Sequence, residues 1–111
     1  MTNRIEKVNS LLEHEIGSII LKSFDFTGLL VTLTHVETTG NLIEAKAYIS
    51  VMPEEKLEHV MSVLNKAIYS VQKEINRKLN MRPIPKIIFA KDEQIVEAAK
   101  VENLLNKLKK E

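Results

Sequence analysis

Residues 28–51 read GLLVTLTHVETTGNLIEAKAYISV, and the division of this stretch decides the fold. Two segments rich in β-branched residues flank Thr38-Thr39-Gly40-Asn41, a turn-forming tetrapeptide, so the spacing predicts a β-hairpin. In the second strand the alternation is clean. Ala45, Ala47, Ile49 and Val51 point one way, and Lys46, Tyr48 and Ser50 point the other. Alanines on the apolar face let helices approach the sheet closely, whereas the opposite face reads as wet.

Upstream, Ile5, Val8, Leu12, Ile16 and Ile19 recur at helical spacing, which predicts a helix from about Thr2 to Ser23. Gly17 lies inside it at a cost of about 1 kcal/mol relative to alanine; it is either a point of close packing or simply tolerated. Downstream, Pro53 ends the second strand, and Glu54 and Glu55 open a long helix where negative charge suits the N-terminal dipole. Leu57, Val60, Leu64, Ala67, Ile68, Val71 and Ile75 form its apolar face. His59, Lys66, Lys73 and Arg77 fall opposite, so they face solvent if the apolar face is buried. The helix is expected to stop near Asn80, because Pro83 disfavours helical backbone before it.

Residues 84–91 form the expected third strand. Pro83 and Pro85 fit a strand start or a sheet edge rather than a central ladder. Its inward set is either Ile87 and Phe89 or Ile84, Ile88 and Ala90. Ala98, Val101, Leu105 and Leu108 mark a final helix over about 93–109, which Asp92 would cap. Helix, strand, strand, helix, strand, helix makes an α+β domain over residues 1–111, with helices on one face of a three-stranded sheet. If the second and third strands are parallel, their helical crossover is expected to be right-handed.

Composition narrows the function. Of 111 residues, 44% are hydrophobic and 28% charged, as in a folded soluble chain. Cysteine is absent, which removes disulfides and thiolate metal sites. No apolar run is long enough to cross a bilayer, and the polar, acidic opening does not read as a secretory signal; a cytoplasmic location is expected. The net charge of +1 argues against a blanket polyanion binder but not against a local patch.

Catalytic constellations are missing. His14, His35 and His59 have no ligand spacing, and His14-Glu15-Ile16-Gly17-Ser18 begins like a zinc-protease helix motif but has no second histidine. Gly17, Gly28 and Gly40 do not form a phosphate-cradling loop. Glu15 falls within the apolar arc of the first helix, where it reads as an edge carboxylate bonded to a nearby cation or backbone group. With no second residue to work with, it does not make an active site. No enzyme activity, cofactor or metal is expected.

The charge is concentrated instead. Lys73, Arg77, Lys78, Arg82, Lys86 and Lys91 face a single acid, Glu74, between residues 73 and 91. Positive charge on a rigid helix and an adjoining strand is the electrostatic footprint of a nucleic-acid binder, although a solvated helix face is the plainer reading. Tyr48, beside Lys46 and Ser50, is the aromatic that the pattern places on an open face, where it could stack on a base. Backbone and shape contacts would dominate such an interface.

Three stretches together resemble the ribosome-binding factor A family: RIEKVNSLLEHEIGSIIL at 4–21, AKAYISV at 45–51 and RPIPKIIFAKD at 82–92. They occur in the family's order over nearly the whole chain. The resemblance implies a KH-like fold of the second type, αββααβ, followed by a C-terminal helix. It implies a monomeric, non-catalytic factor that binds the free 30S ribosomal subunit and 16S rRNA, with ribosomal proteins as further contacts, and that assists late rRNA processing, including at low temperature. Like the family, the chain lacks a Gly-x-x-Gly loop. At the place of the family's Ala-x-Gly helix kink it reads Ala67-Ile68-Tyr69, with tyrosine for glycine, so residues 54–80 form one bent helix or two. On this reading Lys73, Arg77, Lys78, Arg82 and Lys86 lie on rRNA phosphates, joined by Arg4 and Lys7 from the first helix. The rival is a protein-interaction module without RNA affinity, dimerising through an exposed sheet edge or the last helix.

Overall fold

The computed structural model describes residues 3–92; the expected helix over 93–109, and its capping by Asp92, lie outside the described residues. The elements run α1 (Asn3–Ser23), β1 (Leu30–Thr38), β2 (Glu44–Met52), a short 3-10 turn (Glu54–Lys56), α2 (Leu57–Lys66), α3 (Ile68–Lys78) and β3 (Lys86–Lys91). The sheet order is β1-β2-β3, with β1 antiparallel and β3 parallel to β2. The αββααβ order is therefore observed, with two helices where one bent helix was the alternative.

The three helices cover one face of the sheet. Ala45, Ala47, Ile49 and Val51 are all buried, as their alternation requires, and meet Leu12, Ile16, Val60, Leu64, Val71 and Ile75 from the helices. In β3 the inward pair is Ile87 and Phe89. Fully burying an aliphatic side chain of this size is worth about 1.5–3 kcal/mol, so this one layer dominates the stability. A Cβ on Gly17 would meet nothing within 4 Å; the glycine is tolerated and supports no close packing.

β1 departs from simple alternation. Leu33 pairs with Ile49 and His35 with Tyr48, leaving Thr34 as an extra residue. This bulge resets the phase, so that Leu33 and Val36 both face the helices. The Thr34 hydroxyl donates to the Tyr48 carbonyl at 3.2 Å. In the hairpin turn, the left-handed residue is Leu42 (φ 60°), not Gly40 or Asn41. Its side chain is buried, which offsets the backbone cost of about 1–2 kcal/mol.

Both outer strands have backbone groups taken up by helix side chains. On β1, the Val36 amide donates to Glu13 Oε1 at 3.1 Å and the Thr38 amide to Asn9 Oδ1 at 3.0 Å. On β3, the Ile87 amide donates to Gln72 Oε1 at 2.8 Å, while Gln72 Nε2 donates to the Pro85 carbonyl at 3.2 Å. These contacts occupy positions at which another strand would add to the sheet.

Candidate nucleic-acid interface

The basic surface is organised by the break between α2 and α3. Ala67 leaves helical geometry (φ −96°, ψ 8°), and its amide donates to the Leu64 carbonyl at 3.1 Å, a tighter turn than the α-helix makes. Each helix then turns its own apolar residues inward: Val60, Met61 and Leu64 from α2, Val71 and Ile75 from α3. His59, Lys66, Lys73 and Arg77 are consequently all exposed. Within α3, Tyr69, Lys73 and Arg77 stand at i, i+4 and i+8, and such neighbours lie about 5–6 Å apart at Cβ. They form a single outward row.

Gln72 fixes that row against the sheet edge. Besides its bonds to Ile87 of β3 and to Pro85 just before that strand, its amide donates to Asn76 Oδ1 at 3.1 Å. Asn76 in turn lines a shallow cleft with Arg82 and Ile84. Arg82 is exposed, and its guanidinium donates to the Met81 carbonyl at 2.9 Å, so the loop between α3 and β3 carries a cation along the flank of the row. The sequence did not mark Gln72 for this role; its one signal was a glutamine at the border of the apolar arc of α3.

The structure does not bring all expected cations together. Lys78 lies on the α1 side of α3, with Nζ 3.8 Å from Glu15 and 3.7 Å from Glu74. The α1 carboxylate read as an edge group finds its cation here, and the charge of the exposed Lys78 is shared with two carboxylates. Lys86 is exposed on another face. With Ile87 inward, alternation puts Lys86 on the opposite face of the sheet, directly across from Glu44. Arg4 and Lys7 are exposed on α1 but stand apart. Ile19 and Ser23 line one cleft with Ala67 and Ser70, whereas Glu15 meets Lys78, so α1 runs antiparallel to α3. Arg4 then lies about 16 Å along the helix axis from the Glu15 contact, away from the start of α3. Lys91 is paired with Glu58. Among the described residues, Lys66, Lys73, Arg77 and Arg82 form no ion pair with a carboxylate.

The other sheet face carries both signs of charge, with Lys46 across from Glu37 and Lys86 across from Glu44. The His35 ring stacks on Tyr48, with centroids 4.3 Å apart and planes inclined by 10°. His35 Nε2 is 3.3 Å from Glu37 Oε1, and Nδ1 is 3.9 Å from Oδ2 of the buried Asp92. The Tyr48 hydroxyl donates to Glu37 Oε2 at 3.2 Å. Partial burial, the Glu37 charge and that hydrogen bond, with a smaller contribution from Asp92, push the Tyr48 hydroxyl above the usual tyrosine range. One face of Tyr48 is thus covered and its surroundings are acidic, which does not suit stacking within a polyanion. No group of three or more candidate metal ligands occurs among the described residues.

Comparison with known proteins gives one consistent result. The family profile described as Ribosome-binding factor A matches residues 4–105. The chain is 33% identical over 110 residues to the ribosome-binding factor A of Akkermansia muciniphila, covering 99% of this chain and 88% of that protein. It is 33% identical over 114 residues to that of Chlorobium phaeovibrioides, covering 100% and 96%. The crystal structure of ribosome-binding factor A from Thermus thermophilus superposes with a TM-score of 0.68 at 20% identity, over 78% of this chain and 94% of that one. A homology model of the Thermus thermophilus factor, fitted into a cryo-EM map of its complex with the 30S subunit, matches with a TM-score of 0.63 at 20% identity, over 74% and 88%.

Proposed function

The chain belongs to the ribosome-binding factor A family, and from that premise we propose that it is a non-catalytic assembly factor. It binds the free 30S subunit through 16S rRNA and assists late maturation of that RNA, including at low temperature. It acts as a cytoplasmic monomer, and ribosomal proteins share the contact. The observation that carries the reading is the row Lys73–Arg77 with Arg82 beside it: exposed, fixed to the sheet edge through Gln72, and without an ion-pair partner among the described residues. A rigid array of uncompensated cations attracts phosphates by releasing their counterions. On the far side of the sheet Glu37 and Glu44 stand across from Lys46 and Lys86, so that face offers no comparable uncompensated row, which supports the helical side as the one that meets a polyanion. The Thermus protein fitted as a complex with the 30S subunit supports the same partner.

Dimerisation through a sheet edge is disfavoured by the side-chain bonds from Asn9, Glu13 and Gln72 to the outer strands. Co-sedimentation with separated 30S, 50S and 70S particles tests the proposal. The chain should travel with free 30S particles, and replacing Lys73, Arg77 and Arg82 together by glutamate should release it without changing the far-UV circular dichroism. Association with 50S particles alone, or full 30S binding by the triple variant, refutes it.

A further inference from the structure

Tyr69 has a position that the fold does not explain. It is 87% exposed, more than any other large apolar side chain described. Phe24, Phe26 and Phe89 pack in or against the core, and Tyr48 lies under His35. Among the described residues, no ring or cation stacks on Tyr69. An aromatic ring left in water forgoes the burial that gives such residues their usual value, and tyrosine is a poorer helix former than the lysine or glutamine usual on a solvated face. Yet the ring stands at the start of α3, directly after the Ala67 break, one helical turn from Lys73 and two from Arg77, with Lys66 one turn before it. Cations on either side of a bare aromatic face are the arrangement that holds a nucleic-acid strand: the phosphates pair with the cations while a base lies on the ring.

We propose that Tyr69 is the platform for one unpaired rRNA base, with Lys66, Lys73 and Arg77 holding the flanking phosphates. This rests on the rRNA-binding reading and narrows it, because a base within a duplex has no free face to offer. The target is a single-stranded or looped segment, bound with little base preference, since every base has a π face.

Two experiments test it. In 30S co-sedimentation, Tyr69→Phe should bind as the native chain does. Tyr69→Ala should lose about tenfold or more in affinity with its salt dependence unchanged, because no phosphate contact is removed. Lys73→Glu should instead reduce the salt dependence. The chain contains two tyrosines and no tryptophan, so Tyr48→Phe leaves Tyr69 as the single fluorophore. Its emission should be quenched by a single-stranded RNA oligonucleotide and much less by a duplex of equal length. Native-like binding by Tyr69→Ala, equal losses in the Phe and Ala variants, or equal quenching by both RNAs overturns the stacking assignment. If Lys73→Glu still weakens binding in those cases, the charged interface stands alone; if neither variant loses affinity, the rRNA-binding reading falls as well.

Discussion

On the proposed interface, the salt dependence of 30S binding is set by four side chains. Lys66, Lys73, Arg77 and Arg82 are exposed and carry no ion pair with a described carboxylate. If each neutralises one phosphate, log K falls with log salt at a slope of roughly −2.8 to −3.6, taking about 0.7–0.9 per phosphate. A fourfold rise in salt then costs roughly 50- to 150-fold in affinity. Replacing Lys73, Arg77 and Arg82 by glutamine leaves Lys66 alone, and the slope should collapse to roughly −0.7 to −0.9. Since those three side chains make no ion pair with a described residue, stability should stay within about 0.5 kcal/mol of the native value. Lys78→Gln is the internal control. Its ammonium is already shared by Glu15 and Glu74, so the slope should hardly move. Filter binding of labelled protein to purified 30S particles across a salt series measures all three. A native slope near zero, an unchanged slope in the triple variant, or a larger effect of Lys78→Gln would refute the reasoning.

Other predictions concern the frame that holds the row. Gln72→Ala leaves the Ile87 amide and the Pro85 carbonyl without their partner, so urea unfolding should show a loss of about 1–3 kcal/mol; a change under about 0.5 kcal/mol would show that Gln72 is not an anchor. Gly17→Ala meets no atom within 4 Å, and should raise stability by about 0.5–1 kcal/mol, read as a higher melting temperature. The Tyr48 hydroxyl is held protonated in the folded chain relative to its ordinary value of 10.0. Its contribution to stability is therefore complete below that pH and is lost as pH rises through the higher folded value. Tyr48→Phe should flatten the alkaline decline in unfolding free energy, and an unchanged decline would count against the Glu37 contact.

Much of the frame is written locally. Ala45, Ala47, Ile49 and Val51 declare their face by alternation alone, and α1 declares itself by its apolar stripe. The misses are places where local pattern is silent. In β3 both alternating sets are apolar, so only packing against the helices chooses Ile87 and Phe89. Thr34 resembles any strand threonine, and its bulge is visible only in the pairing of Leu33 and His35 with β2. No glycine or proline marks the break at Ala67. The site divides the same way. The exposure of Lys73 and Arg77 was legible because a helical wheel places them opposite a buried face. The pairing of Lys78 was not, because one of its two carboxylates, Glu15, comes from a different helix. Lys86 depended on the undecided face of β3. Tyr48 drew notice because its strand alternates cleanly, whereas Tyr69, on the same helical side as Lys73 and Arg77, was read only as the residue replacing a glycine at the helix kink.

The most direct test uses the absence of cysteine from the chain. A single cysteine placed at Asn76, beside Lys73 and Arg77, or at Thr32 on the opposite sheet face can carry an iron chelate that generates hydroxyl radicals; both side chains are exposed. With 30S subunits bound, the probe at position 76 should cleave 16S rRNA in a confined region, and the probe at position 32 should give weak or no cleavage there. Strong cleavage from position 32 with none from position 76 would place the wrong face on the ribosome and contradict the account.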